Sequence, residues 1–305
     1  MTAAGPDTHA GPAAHAGPDT LAAALEGAVT RFVAAGIEQA AARADARLLA
    51  AHAARVSPHD LDGHLHGPVP AGFWPYVERR AAREPAERIV GHAWFMGHRF
   101  ELAPGVFVPK PETAEIIEDA INRLHTMIKQ GNRSPLVIDL CAGPGTMAVT
   151  IARRVPRARV FGIELSQAAA RLAARNARGT AARIVQGDAK DAFPEFGAAA
   201  DLVVTNPPYL PIGLRTSSPE VLGYDPPLAL WAGQGGLRMI RAMERTASRL
   251  LRPGGVLLLE HGRYQLDSVP RLFAGTGHWD SARSRPTLHD GCLTAVRAGP
   301  PGRGI

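Results

Sequence analysis

The chain is poor in the residues that cross-link a fold or anchor it in a membrane. It has 2 cysteines in 305 residues, Cys141 and Cys292, far apart and in no C-x-x-C pair. That excludes a disulfide framework and a cysteine zinc site, and it suits a reducing cytoplasm. No metal site is expected. No apolar run approaches the ~18 residues of a transmembrane helix, so no membrane partner is expected. Residues 1–20 lack the basic start and apolar stretch of a secretory signal. Blocks of one charge are also missing. The net charge is +6, mostly from arginines spread along the chain, which reads as a solvated surface and demands no nucleic acid. What remains is ordinary for a globular protein, 46% hydrophobic and 20% charged, with length enough for two domains.

Residues 1–20 are low in complexity; Gly5-Pro6-Asp7-Thr8 recurs as Gly17-Pro18-Asp19-Thr20. Such a stretch buries too little apolar surface to order itself and is expected to be a disordered tail; residues 299–305 are expected to be a tail. Residues 21–90 carry helical periodicity, with Leu21, Leu25, Val29 and Phe32, then Leu48, Leu49 and His52, then Phe73, Val77 and Ala81. They are expected to form a helical domain that recognises substrate; a packing cap is the competing account. Residues 91–110 read as a β-hairpin linker turning at Gly97-His98. From residue 111 to 298 a helix is followed by alternating strands and helices. The strands are expected at 136–140, 159–163, 183–186, 202–205, 255–260 and 293–297, the last closing the sheet. That alternation predicts an α/β fold, an open, mostly parallel, Rossmann-like sheet with helices on both faces. Ligands in such sheets bind beyond the carboxyl ends of the strands.

Four strand ends carry candidate chemistry. After the first comes Asp139-Leu140-Cys141-Ala142-Gly143-Pro144-Gly145, where glycines let backbone approach a ligand. It is not a G-x-G-x-x-G pyrophosphate cradle: counted from Gly143 the last position is Ala148, and counted from one step earlier the first position is Cys141. After the second stands Glu164-Leu165, with a carboxylate placed to accept hydrogen bonds from ribose hydroxyls. Asp188-Ala189 follows the third and is placed to meet an adenine amino group. Asn206-Pro207-Pro208-Tyr209 follows the fourth. The prolines force the chain out of the sheet. The Asn206 side chain offers an acceptor, the Pro207 carbonyl is free of any ladder, and Tyr209 supplies a flat face. This set suits the gripping of a planar NH2 group. A dinucleotide enzyme has no need of it; an amino-group methyltransferase does.

These motifs, with Pro109-Lys110-Pro111-Glu112-Thr113, Pro219-Glu220-Val221, Pro227 to Gly233 and Leu257 to Gly262, resemble the glutamine N5-methyltransferases of the HemK/PrmC type, which modify peptide-chain release factors. The resemblance covers about residues 40–298 and implies a class I methyltransferase sheet. It implies S-adenosylmethionine as cofactor, with S-adenosylhomocysteine as product. Asp139, Cys141, Ala142, Gly143, Pro144, Gly145, Glu164, Leu165, Asp188, Ala189 and Asn206 would hold it. Asn206 and the Pro207 carbonyl would accept the two N–H bonds of a glutamine amide, with Tyr209 against its plane. Pro208, Phe100 and Phe107 would wall the pocket. The implied partner is a release factor met in the cytoplasm by a monomeric enzyme. Lys110 stands where the family usually has Arg, and Cys141 and Pro144 also depart. Methylation of a release-factor glutamine is therefore the leading expectation; the first alternative, which the departures slightly favour, is a small-molecule amine or amide as acceptor. Nucleic-acid base methylation, a nicotinamide oxidoreductase and a non-catalytic binding module are weaker alternatives.

Overall fold

A computed structural model describes residues 20–214 and 218–299. The tails expected at 1–20 and 299–305 therefore lie, apart from Thr20 and Gly299, outside the described residues. The chain divides after Val90 into two compact units.

The first unit is helical: α1 (Leu21–Ala34), α2 (Gln39–Ala54), α3 (Phe73–Ala81) and α4 (Ala86–Val90). Thr20 caps α1 by accepting from the Ala23 N–H at 3.3 Å, and Glu38 caps α2 by accepting from Ala40 and Ala41 at 2.8 and 3.0 Å. The apolar stripes legible in the sequence meet in one core that includes Leu21, Phe32, Leu49, Leu61, Phe73 and Val77. Fully burying such a side chain contributes roughly 1.5–3 kcal/mol.

The second unit opens with a hairpin, β1 (His92–Phe95) and β2 (His98–Glu101). Its two-residue turn is Met96-Gly97, both at positive φ (47° and 79°), one residue earlier than the sequence suggested. Two left-handed residues match the twist of paired strands, which is why the glycine sits second. The hairpin is no free linker. Phe95 and Phe100 are buried in the core of this unit, and Asn176 bonds both the N–H and the carbonyl of Glu101, at 2.8 and 3.1 Å. Two buried aromatics commit it to the unit.

The helix α5 (Thr113–Lys129) leads into the main sheet. There follow β3 (Leu136–Leu140), α6 (Thr146–Arg154), β4 (Arg159–Glu164), α7 (Gln167–Asn176), β5 (Arg183–Gln186), β6 (Ala200–Thr205), α8 (Pro219–Tyr224), α9 (Pro227–Leu230), α10 (Arg238–Leu250), β7 (Leu251–His261), α11 (Ser268–Ala274), β8 (Trp279–Pro286) and β9 (Gly291–Arg297). The strand order is β5-β4-β3-β6-β7-β9-β8; β3 to β7 run parallel, and β9 is antiparallel to both neighbours. This is the class I methyltransferase fold. The central strands β3 and β6 are buried at every residue, as strands covered on both faces must be. Val137, Leu202, Val204 and Leu258 face α5 and α6; Ile138, Leu140, Val203 and Leu257 face α10 and α11.

The sheet does not end at 293–297 as expected. Strand β8 pairs outside β9 and forms the edge. It carries Asp280, Arg283, Arg285 and Pro286 and is half-exposed, so it has no apolar alternation to reveal it. Among the described residues no helix is long and apolar enough to cross a membrane.

Candidate active site

The strand order reverses at β3, whose neighbours are β4 and β6, so a crevice opens above the carboxyl ends of these strands. A cleft of about 650 Å³ lies there, within the range of small-molecule sites.

Its floor is the loop after β3. Gly143 has φ +55°, and a side chain there would stand in open space, so the bare backbone faces the cleft. Gly145 serves packing instead. A Cβ there would come within 3.1 Å of Ala173, so its lack of a side chain lets α6 approach α7. Cys141 occupies the left-handed region (φ 66°), lines the cleft and touches Met243 (S···S 3.9 Å); burial pushes its thiol far up, so it is no nucleophile.

Glu164, at the end of β4, accepts from the Gly143 N–H through Oε2 and the Ser166 N–H through Oε1, both at 2.8 Å. It lashes the β3 loop to the next strand while lining the cleft. Each oxygen keeps a second lone pair for a ligand hydroxyl. Asp188 also lines the cleft. Hydrogen bonds from the Lys190 N–H (2.9 Å), then from its ammonium (3.0 Å), hold its carboxyl below the usual range. Leu165 and Ala189 complete this end.

Several expected contacts are displaced. Asp139 is fully buried beneath the loop, where Oδ2 accepts from the Ala148 N–H at 3.0 Å, and burial raises its carboxyl to about 8. It pins the start of α6 and does not line the cleft. Ala142, Pro144 and Gly145 shape the loop from behind. Phe100 is core, edge-on to Phe95 at 6.4 Å, because β2 turns it inward. Tyr209 also leaves the cleft. Its hydroxyl donates to Asp290 at 3.0 Å, and its carbonyl accepts from the Tyr264 hydroxyl at 2.7 Å. The two prolines turn the chain so that Pro208 lines the cleft and Tyr209 points towards the β8–β9 turn.

The corner keeps its acceptors. Thr205 donates to the Leu140 carbonyl at 2.6 Å and fixes the end of β6 against β3. Asn206 lines the cleft, and its Nδ2 donates to Glu260 at 2.9 Å. Among the described residues nothing donates to the Asn206 Oδ1 or the Pro207 carbonyl. The internal bond therefore takes the donor half of the amide and leaves the acceptor half.

Phe107, expected at the pocket, and the Pro227 to Gly233 motif, which had no role assigned to it, supply most of the opposite wall. Phe107, Pro226, Pro227, Leu228 and Trp231 give the cleft an apolar lining, and Arg238 also borders it. Leu210 pairs with Trp231 in a short bridge, and the Arg238 N–H donates to the Ala232 carbonyl at 3.2 Å, so this wall is continuous with the corner. The only signal was the proline-rich stretch around Pro227. Lys110 pairs with buried Asp225 at 3.2 Å and stands over the Phe107 ring at 5.2 Å, which braces the same wall.

Residues 23–91 match the PrmC N-terminal domain, and residues 137–213 match a methyltransferase domain. The release factor glutamine methyltransferase of Streptomyces coelicolor is 40% identical over 88% of this chain and 95% of its own length. The chain belongs to the HemK/PrmC methyltransferase family. This methyltransferase is also 73% identical, over 91% of its chain and 95% of the relative, to the 4-amino-L-phenylalanine/4-methylamino-L-phenylalanine methyltransferase of Streptomyces pristinaespiralis. Its fold matches the 16S rRNA N2 G1207 methyltransferase of T. thermophilus, solved with AdoMet and guanosine (TM-score 0.50, 24% identity, 68% of this chain and 49% of that one). It is an S-adenosylmethionine-dependent enzyme. The exposed backbone at Gly143 and the Glu164 carboxylate with lone pairs to spare fit that cofactor.

Proposed function

We propose that this methyltransferase acts on the ring amino group of a small aromatic amino acid of the 4-aminophenylalanine type. The observation that carries the reading is the 73% identity to an enzyme named for that acceptor. The site supports it. The wall of Phe107, Pro226, Pro227, Leu228 and Trp231 suits an aromatic ring. Arg238 lines the cleft, has no ion pair among the described residues, and would receive the substrate carboxylate.

The chemistry joins the relatives. An arylamine and a glutamine amide are both planar NH2 groups whose lone pair is delocalised, into a ring in one and a carbonyl in the other. S-adenosylmethionine supplies an electrophilic methyl group. The Gly143 backbone, Glu164, Leu165, Asp188 and Ala189 would hold it. The Asn206 Oδ1 and the Pro207 carbonyl accept the two N–H bonds, draw density back onto nitrogen and hold it in line for attack. As positive charge develops on nitrogen, the same two fixed dipoles stabilise it. A proton leaves the nitrogen afterwards, so no general base is needed first. Pro208 and Phe107 confine the acceptor.

The test is incubation of the purified enzyme with S-adenosylmethionine and 4-amino-L-phenylalanine, read by mass spectrometry. The expected result is the gain of one and then two methyl groups on the ring nitrogen. No transfer to it, together with methylation of a release-factor glutamine, would reject the reading. That outcome is the second reading, favoured by the PrmC N-terminal match at 23–91 and the relatives at 34–40% identity. On it the helical unit would dock a protein substrate.

A further inference from the structure

We propose that Glu260 is a positioning residue for the reaction, fixing the Asn206 side-chain amide so that its oxygen faces the cleft. The inference rests on the reading of Asn206 as an acceptor for a substrate N–H. An asparagine amide has nearly the same shape in its two flipped states, so packing alone does not choose between them. In the wrong state an N–H would meet the substrate N–H, donor against donor.

Glu260 lies at the end of β7, only 2% exposed, behind the corner. Its Oε1 accepts from Asn206 Nδ2 at 2.9 Å and its Oε2 from the Thr113 hydroxyl at 2.8 Å. A carboxylate accepts only, so it selects the NH2 side of Asn206 and turns Oδ1 outward.

Thr113 makes the selection hold when Glu260 takes up a proton. The ionisable groups acting on Glu260 are Glu112 before α5, Tyr209 after β6, Asp290 in the β8–β9 turn and Cys292 in β9, all acids. His261, the next residue of β7, is buried and its ring is lowered by burial, so it adds no facing cation. Burial first, and then the charges of Asp290 and Glu112, raise Glu260 to about 8. A proton on Oε1 would donate to Asn206 Oδ1 and turn the amide over. A hydroxyl both donates and accepts, so Thr113 takes the proton of Oε2 as readily as it gave its own, and Oε1 stays an acceptor. This gives a task to two segments the reaction otherwise leaves idle, Pro111-Glu112-Thr113 and Glu260-His261-Gly262.

The experiment compares E260M, which keeps the volume and removes both acceptors, with E260Q, which restores a carbonyl for Asn206. The acceptor is 4-amino-L-phenylalanine, or a release-factor glutamine peptide should the wild type reject it. The expected result is a fall in kcat of about 10²-fold for E260M, with unchanged affinity for S-adenosylhomocysteine, and recovery of most of the loss in E260Q. In an N206A background E260M should lower the residual turnover no further, because Glu260 acts through Asn206. Wild-type kcat in E260M, or an equal loss in the N206A background, overturns the proposal. Wild-type turnover in N206A itself overturns the clamp reading instead. Should E260M not fold, T113V serves: its kcat should fall at neutral pH and recover only above the wild-type value of about 8, because the lost Thr113 hydroxyl had lowered the Glu260 carboxyl, and a profile parallel to the wild type overturns the proposal.

Discussion

Both units match buried charge with a partner, as in Lys110 with Asp225 and Arg252 with Asp201 in the sheet unit, but among the described residues only the sheet unit also buries acids without one. In the helical unit ionic groups stay at the surface: Arg43 with Glu26 and Arg47 with Asp62 are pairs between exposed side chains. Its buried charge among the described residues, Arg80, is matched by Asp45 at 2.7 Å. The sheet unit buries Asp139, Glu260 and His261 near the carboxyl ends of its strands, with no cation paired to either acid among the described residues. His261 stays neutral there, its Nδ1–H donating to the Gly262 carbonyl at 3.0 Å and its Nε2 accepting from Ser284 at 2.8 Å. Burying polar groups costs stability unless hydrogen bonds recover it. That cost is concentrated where two loops and a corner must be held in one arrangement. The contrast sets the sheet unit apart as the one whose buried acids lie at the strand ends around the cleft.

The sharpest way to break the contrast is N206A. Turnover should fall by about 10²–10³-fold with S-adenosylhomocysteine affinity intact; calorimetry and a methyl-transfer assay read both. Next, R238L should raise the KM for 4-amino-L-phenylalanine about tenfold, a loss of ~1.4 kcal/mol, and leave that for 4-methylaniline, which lacks the carboxylate, unchanged. Equal effects on the two acceptors would remove Arg238 from substrate binding.

Opposite pH responses sharpen it further. Asp139 and Glu260 are raised to about 8 by burial, so they bind more protons folded than unfolded. Their contribution is full below the ordinary carboxylate range and is lost as pH rises through about 8. In the helical unit Glu38 is lowered by the N–H bonds of Ala40 and Ala41, so its contribution is present above the ordinary value and lost on acidification. Hydrogen exchange corrected for intrinsic rate should show the sheet unit loosening towards pH 9 and the start of α2 towards pH 4, on the order set by those shifts. D139N should flatten the alkaline limb. Smallest of all, T20A should cost the helical unit about 1 kcal/mol and leave kcat unchanged.

Much of the site was legible because it sits on short local patterns. A glycine loop, a strand-end Glu and Asn-Pro-Pro each follow a strand whose apolar run marks its end, so Gly143, Glu164 and Asn206 could be placed on one crevice. Phe100 and Tyr209 could not be assigned the same way. A strand's two faces alternate, and only tertiary register showed that β2 turns Phe100 inward. The substrate wall was fainter still, since Pro226 to Trp231 has neither helical nor strand periodicity.

The order of apolar runs and turn residues by itself determined the helical unit, the parallel sheet and the crevice, because backbone periodicity and proline geometry are local. Only tertiary structure decided which half of the Asn206 amide is free. That choice is made by Glu260, 54 residues away along the chain, and by Thr113 behind it. A hydrogen bond between distant strand ends leaves no mark on the sequence around either one.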